Sequence, residues 1–199
     1  LAQQGGAGST VPAASVPGIA GVRTATTVPP AVPAAGALPT GGQVVAGQAQ
    51  LQQQGSRLTV NQASQRLILD WTGFDIGADA SVRFEQPNRD AVALNRVLGN
   101  GMSLIDGELS SNGQLWLINP NGTVFGKGAQ VDVGGLVVSS LAVSNEDFLA
   151  GCARFSAEGQ AGQVRNEGRI AAGDGVVALL APSVANSGRI EAGQVALAA

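Results

Sequence analysis

The chain has 199 residues and a formal net charge of -3, and it contains 29 Gly, one Cys, no Tyr and no His. This length predicts about one domain. Without His there is no imidazole general base, no His-liganded zinc and no His-bound haem. The acidic balance argues against a nucleic-acid partner. The single Cys152 excludes an internal disulfide and is interpreted as a small buried apolar residue.

Residues 1–40 differ in composition from the rest of the chain. They contain six of the nine prolines and a single charged residue, Arg23. A segment with so little apolar bulk and no hydrophobic period is interpreted as a flexible or extended Pro/Ala/Gly-rich lead-in. A polyproline ligand is the alternative, but no PxxP repeat with a basic flank is present. We therefore expect the folded domain to cover residues 41–199.

From Gly41 onward, short apolar bursts are separated by Gly, Asn and Asp, which is the pattern of short strands. We expect residues 41–60 to form an N-terminal cap in which two strands flank a Gln-rich turn, because an uncovered sheet edge invites pairing with other chains. The only helix expected lies between Asn145 and Leu149, where Ser144 can serve as N-cap and Asp147 as the capping-box residue.

Two segments near the C-terminal end repeat each other. Residues 164–173 and 184–193 are identical at seven of ten positions. A period of about 20 residues predicts a solenoid, and short strands with Gly and Asn at the corners favour a parallel β-helix over a leucine-rich repeat. We expect Asn166 and Asn186 at the same corner of successive coils as a structural amide ladder, with ligand binding as the alternative. About 160 residues at roughly 20 to 22 per coil predict about seven or eight coils.

Four segments, taken in order, resemble the secretion domain of two-partner-secreted exoproteins. The segments are Leu69–Gly77, Val82–Pro87, Ala93–Val97 and Ser111–Gly126. The resemblance covers about residues 41–199. It implies an all-β fold, namely a right-handed parallel β-helix with an N-terminal cap and small extra-helical strands. It also implies that this chain is the N-terminal part of a longer exoprotein and nucleates β-helix folding outside the cell.

Within this family, the sequence is similar to the high-molecular-weight adhesins and the haemopexin-binding haem-acquisition exoproteins rather than to filamentous haemagglutinin. The haemagglutinin type carries a second Asn-Pro-Asn motif downstream, whereas residues 143–148 here contain no Pro. The resemblance implies passage through the Sec machinery and export across the outer membrane of a Gram-negative bacterium to the cell surface or the medium. The implied partner is an outer-membrane transporter whose POTRA domains recognise this domain. Any host or small-molecule ligand is expected to bind regions beyond residue 199.

The family's Asn-Pro-Asn-Gly motif stands at Asn119, Pro120, Asn121 and Gly122. Pro fixes φ at a turn position, Asn tolerates unusual φ, and Gly accepts positive φ, so these residues favour a tight turn. One interpretation is that the motif only ends one strand and starts the next. The other is that the transporter recognises it directly. Loss of secretion on mutation would fit both.

A carbohydrate-active or carbohydrate-binding β-helix is the alternative function. Its acids would come from Asp70, Asp75 and Asp79, or from Glu85 and Asp90 beside Arg83, Arg89 and Arg96. A catalytic carboxylate pair requires two groups roughly 5 to 10 Å apart across a groove, which sequence spacing alone does not establish. The aromatic residues Trp71, Phe74 and Trp116 lie in apolar strands and are interpreted as core-packing or capping residues rather than as sugar-stacking groups. No enzymatic activity and no cofactor are expected.

Overall fold

The structure, a computed structural model, describes residues 32–157, 159 and 161–199, and its regular secondary structure is almost entirely short strands in three sheets. Residues 1–31 of the lead-in expected over residues 1–40 lie outside the described residues. The described part of that segment contacts the first coil: the N–H of Gly77 donates to the carbonyl oxygen of Ala37 at 2.9 Å, and Thr40 forms an antiparallel bridge with Gly73. In each full coil the chain passes from sheet 1 to sheet 2 and then to sheet 3. The all-β, parallel β-helix fold expected from the sequence is confirmed. No helix in the described part of the chain is long and apolar enough to span a membrane.

Each sheet collects strands from successive coils, in the following spatial order. Sheet 1 contains β17 (Arg189–Glu191), β14 (Arg169–Ala171), β11 (Gln130–Asp132), β8 (Glu108–Ser111), β5 (Ser81–Glu85), β3 (Arg57–Gln62) and β2 (Ala49–Gln54). Sheet 2 contains β1 (Gln43–Ala46), β4 (Arg66–Trp71), β6 (Val92–Val97), β9 (Gln114–Ile118), β12 (Gly135–Ser139), β15 (Val176–Leu180) and β18 (Gln194–Ala198). Sheet 3 contains β16 (Val184–Asn186), β13 (Val164–Asn166), β10 (Thr123–Phe125) and β7 (Ser103–Ile105).

The number of coils is six, because sheet 2 has six mutually parallel strands from β4 to β18. The expectation of seven or eight coils is wrong. Strands β1 and β2 pair antiparallel with β4 and β3, so their residues form a cap instead of a coil. The described residues between β12 and β13, namely 140–157, 159 and 161–163, leave the β-helix as an excursion that also adds no coil. A single antiparallel bridge between Ala142 and Ser156 represents the expected extra-helical strands in this excursion.

The core consists of columns of apolar residues that repeat at the same position in successive coils. On sheet 1, one column is formed by Leu58, Val82, Leu109, Val131, Ile170 and Ile190. On sheet 2, another is formed by Leu67, Ala93, Leu115, Leu136 and Val177. The repeat recognised in the sequence therefore corresponds to two stacked coils, in which Val164 pairs with Val184 and Ile170 with Ile190. A residue in such a column is buried by its neighbours above and below, which a single coil cannot do.

The N-terminal cap predicted between residues 41 and 60 is present, with one correction. The Gln-rich segment is not a turn but the strand β2, which pairs antiparallel with β3. The turn between them lies at Gly55 and Ser56. Leu38 and Leu51 pack against the apolar core at this end. The cap therefore covers the first coil with both backbone pairing and apolar side chains.

The helix expected in the excursion is confirmed as α1 (Asn145–Ala150). Ser144 is its N-cap, and its hydroxyl accepts a hydrogen bond of 3.0 Å from the backbone N–H of Asp147. Gly151 ends the helix in the left-handed conformation, at φ 81°. Phe148 is fully buried and packs edge-to-face on Trp116, with 5.4 Å between the ring centroids. The helix therefore docks on the outer surface of sheet 2.

A column of glycines occupies the corner between sheets 1 and 2. Its members, Gly113, Gly134, Gly175 and Gly193, each lie immediately before a sheet 2 strand. A Cβ at Gly175 would overlap the carbonyl oxygen of Gly134 in the coil below. Backbones at this corner approach so closely that only the absence of a side chain permits stacking.

We predict that Gly175→Ala destabilises the domain by about 3 kcal/mol, because the new methyl group forces adjacent coils apart. Urea unfolding followed by circular dichroism measures this change. Gly36→Ala is the matched control, since a Cβ there would meet only the Ser56 Cβ, at 3.6 Å. The control should remain within about 0.5 kcal/mol of wild type. Equal urea midpoints for Gly175→Ala and Gly36→Ala would contradict the role of the glycine column in coil stacking.

Candidate functional site

The corner between sheets 2 and 3, called the variable corner, differs in length from coil to coil. Its connections comprise residues 98–102, 119–122, 140–163 and 181–183. In the same four coils, the other two corners use connections of two to four residues, except for the six-residue connection 86–91 between β5 and β6. The Asn-Pro-Asn-Gly motif is one of the connections at the variable corner. Any surface feature specific to this protein can therefore be placed here without disturbing the stacked sheets.

Asn119 is fully buried directly after β9, and every polar group of its side chain is used. Its Nδ2 donates to the carbonyl oxygen of Gly101 at 3.1 Å and to Oγ of Ser103 at 2.9 Å. Its Oδ1 accepts from the backbone N–H of Asn121 at 2.9 Å. A buried amide in this position cannot touch a partner protein. Its contacts instead link the motif to the preceding coil.

The remaining residues of the motif form the predicted tight turn. The N–H of Gly122 donates to the carbonyl oxygen of Asn119 at 2.9 Å, and Gly122 has φ 100°, which favours glycine. Pro120 is half-buried, and its carbonyl oxygen accepts from the N–H of Gly162 at 2.7 Å. The turn is thus also fixed from the side of the following coil.

Asn121 is the exposed residue of the motif, but its amide is not free. Nδ2 of Asn121 donates to the carbonyl oxygen of Gly99, in the preceding coil, at 2.8 Å. Sequence reasoning missed residues 98–102 as part of the site. The spacing of about one coil between Gly99 and Asn121 in the sequence could have indicated that these residues lie next to each other.

Asn166 and Asn186 occupy equivalent positions as the last residues of β13 and β16. Nδ2 of Asn166 donates to Oδ1 of Asn186 at 2.8 Å, and Asn166 is fully buried whereas Asn186 is exposed. Oδ1 of Asn166 also accepts from the N–H of Gly168 at 3.2 Å. The two residues lie at the corner between sheets 3 and 1, away from the Asn-Pro-Asn-Gly turn.

The acidic residues considered for carbohydrate chemistry are placed in separate environments. Arg96 holds the Asp70 carboxylate with two hydrogen bonds, of 2.9 and 3.1 Å. Burial raises the pKa of Asp75, although a hydrogen bond from the backbone N–H of Leu104 opposes that shift. Asp79 is exposed. The structure therefore gives each of these acids a different environment and does not present them as a pair across a groove.

The second group of candidate charges is also dispersed. Arg83 and Glu85 form an exposed ion pair of 3.2 Å on sheet 1. Arg89 and Asp90 lie in the exposed connection that follows, and Arg96 belongs to sheet 2. Among the described residues, no group of three or more His, Cys, Asp or Glu side chains is arranged to hold a metal ion.

The three aromatic residues have packing roles, as interpreted from the sequence. Trp71 and Phe74 are buried and pack edge-to-face with 5.5 Å between their centroids, and the Trp71 Nε1 donates to Oδ1 of Asn95 at 3.0 Å. Trp116 packs under the excursion. Cys152 is half-buried just after α1, not fully buried as expected.

Comparison with known proteins assigns the chain to a family. The family model described as the TPS secretion domain matches residues 35–199. The chain therefore belongs to the TPS secretion domain family.

Individual relatives come from Haemophilus influenzae. A heme/hemopexin-binding protein of strain Rd is 38% identical over 163 residues, which is 78% of this chain and 18% of that protein. A second heme/hemopexin-binding protein is 38% identical over 112 residues, covering 56% of this chain and 12% of the relative. The crystal structure of the HMW1 secretion domain matches with a TM-score of 0.75 and 34% identity, over 79% of this chain and 44% of that chain. The chain thus spans less than a fifth of the curated relatives.

We predict that Asn119→Ala lowers the free energy of unfolding by about 3 kcal/mol, because it removes the hydrogen bonds of a buried amide and leaves the buried Oγ of Ser103 without this partner. Asn121→Ala should lower it by about 1 kcal/mol, since it removes one hydrogen bond at the surface. Urea titration of the purified variants measures both values. The exposed Asn100→Ala provides a control in the adjoining loop. An Asn119→Ala domain as stable as wild type would contradict the structural role of this amide.

Proposed function

We propose that this domain is the export signal of a longer exoprotein and is recognised by the POTRA domains of a partner outer-membrane transporter. The membership of residues 35–199 in the TPS secretion domain family carries the proposal. In this proposal the exoprotein passes through the Sec machinery, crosses the outer membrane of a Gram-negative bacterium and is released or stays at the cell surface. The domain acts as a binding and folding module without catalytic activity or cofactor.

We also propose that the domain nucleates folding of the β-helix outside the cell. Its first coil is closed by the antiparallel strands β1 and β2, which prevent strand addition on that side of β4 and β3. At the opposite end, β16, β17 and β18 are the outermost strands of their sheets. A parallel strand added there would find in-register edges and partly exposed apolar side chains such as Val195 and Leu197. Propagation of a solenoid from one capped end follows from nearest-neighbour stacking.

The activity of the whole exoprotein is proposed to reside outside the described coils. Relatives that bear the name heme/hemopexin-binding protein are matched over only 18% and 12% of their lengths. Haem acquisition or adhesion is therefore assigned to regions beyond residue 199. This assignment agrees with the lack of His in the chain.

Export from a Gram-negative host with and without a matched POTRA-containing transporter tests the proposal. We expect wild-type chain in the medium only when the transporter is present, because recognition by the partner starts translocation. Immunoblotting of medium and periplasm gives the ratio of exported to retained chain. We expect this ratio to be at least about tenfold higher with the transporter than without it. A transporter lacking its POTRA domains is the matched control. Equal export without the transporter would overturn the proposed function.

A further inference from the structure

The excursion leaves the β-helix after β12, in the fourth coil, yet it contacts coils that lie much earlier in the chain. Arg66 of β4, in the first coil, donates from Nη1 to the carbonyl oxygen of Phe148, 82 residues later, at 2.9 Å. The same guanidinium lies 5.5 Å from the centre of the Phe148 ring. In the second coil, Arg96 donates from Nη1 to Oδ1 of Asn145 at 2.9 Å. The short helix α1 thus binds both of the first two coils.

The surface beneath the excursion is formed by outward-facing apolar side chains of the first three coils. Ile68 and Leu94 are fully buried on this outer side of sheet 2, where they alternate along their strands with residues that face the core. In the third coil, Trp116 packs on both Phe148 and Phe155, with 5.4 and 5.6 Å between the ring centroids. Without the excursion these large side chains would face water, which is unfavourable.

The same outward position changes in character along the β-helix. In coils one to six it is occupied by Ile68, Leu94, Trp116, Val137, Ala178 and Ala196. The three largest apolar side chains belong to the coils beneath the excursion, whereas the fifth and sixth coils carry Ala. An outward Ala needs no cover, because it exposes little apolar area. The last two coils can therefore be added by stacking alone, whereas the first three need the excursion to cover them.

We infer that the excursion must dock before the first coils are stable, so that the cap, the first four coils and the excursion fold as one unit. This inference deepens the proposed nucleation of the β-helix and rests on that proposed function for its role outside the cell. The first coils then do not form one after another from the cap. They become stable only when the exported chain has emerged as far as Phe155, and each later coil is added to this unit by stacking.

Pulse-labelling hydrogen exchange during refolding of the full chain from urea tests the inference. The amides of Phe148 and Cys152, which donate to the carbonyl oxygens of Ser144 and Asp147, report on the excursion. We expect β4, β6 and β9 to become protected at the same time as these amides, within about twofold, because none of them is stable alone. The alternative order, from the cap coil by coil, would protect β4 and β6 first.

A pair of variants on α1 tests the same inference independently. Phe148 is buried against the first three coils, whereas the neighbouring Leu149 is 45% exposed and provides the matched control. We expect Phe148→Ala to slow protection of β4 and β6 at least about tenfold, because docking of the excursion belongs to the step that forms these coils. Leu149→Ala should remain within about twofold of wild type.

The possible results separate the inference from the function on which it rests. If β4 and β6 are protected more than about tenfold faster than α1, or if Phe148→Ala leaves their rate of protection unchanged, the inference is overturned. Nucleation from the cap and transporter-dependent export would then still stand. Protection of β15 and β18 before β4 would overturn both the inference and the proposed nucleation. Export that is independent of the transporter would overturn the proposed export signal, whatever the order of folding.

Discussion

Parallel stacking of coils is the constraint on which the rest of this structure depends. Equivalent residues of successive coils lie directly above one another. Strands in one sheet lie about 4.8 Å apart, so each coil must repeat the path of the previous one at the sheets. Two corners obey this requirement with short connections and a glycine column such as Gly134 and Gly175. Apolar columns then bury each other, and the cap closes the first coil.

The variable corner differs most in length from coil to coil, although the strands that flank it keep their register. Strand β10 pairs in register with β7 and with β13, so each connection leaves sheet 2 and enters sheet 3 at equivalent positions whatever its length. The longest of them returns over sheet 2, where Phe148 covers an apolar outer surface and Arg66 donates to the Phe148 carbonyl oxygen at 2.9 Å. Arg96 connects the same excursion to the coil below through Oδ1 of Asn145 at 2.9 Å. The Asn-Pro-Asn-Gly turn lies at this corner and links neighbouring coils through hydrogen bonds, and Asn121 is its exposed residue.

Much of the fold could be predicted from the sequence because stacked coils repeat similar residues at a regular spacing along the chain, as residues 164–173 and 184–193 show. The helix cap at Ser144 could be predicted because its chemistry is local. Chain length alone predicts too many coils, since a simple division ignores the cap and the excursion. The Gln-rich strand β2 resembles a turn in sequence because polar edge strands lack an apolar pattern. The hydrogen bond between Asn121 and Gly99 could not be predicted, because it depends on which two connections are stacked at the same corner of the β-helix.

Hydrogen exchange around residues 98–102 in Asn121→Ala tests most directly whether the Asn-Pro-Asn-Gly motif acts by holding this connection of the preceding coil. Reporter amides are those of Leu98 and Ser103, which donate to the carbonyl oxygens of Trp71 and Gly122. We expect exchange at these two amides to accelerate by about tenfold, which corresponds to loss of about 1.4 kcal/mol of local stability. Exchange in β12 and β15 should stay unchanged in the same sample. Unaltered protection at Leu98 and Ser103 in a folded Asn121→Ala domain would contradict this role of the motif.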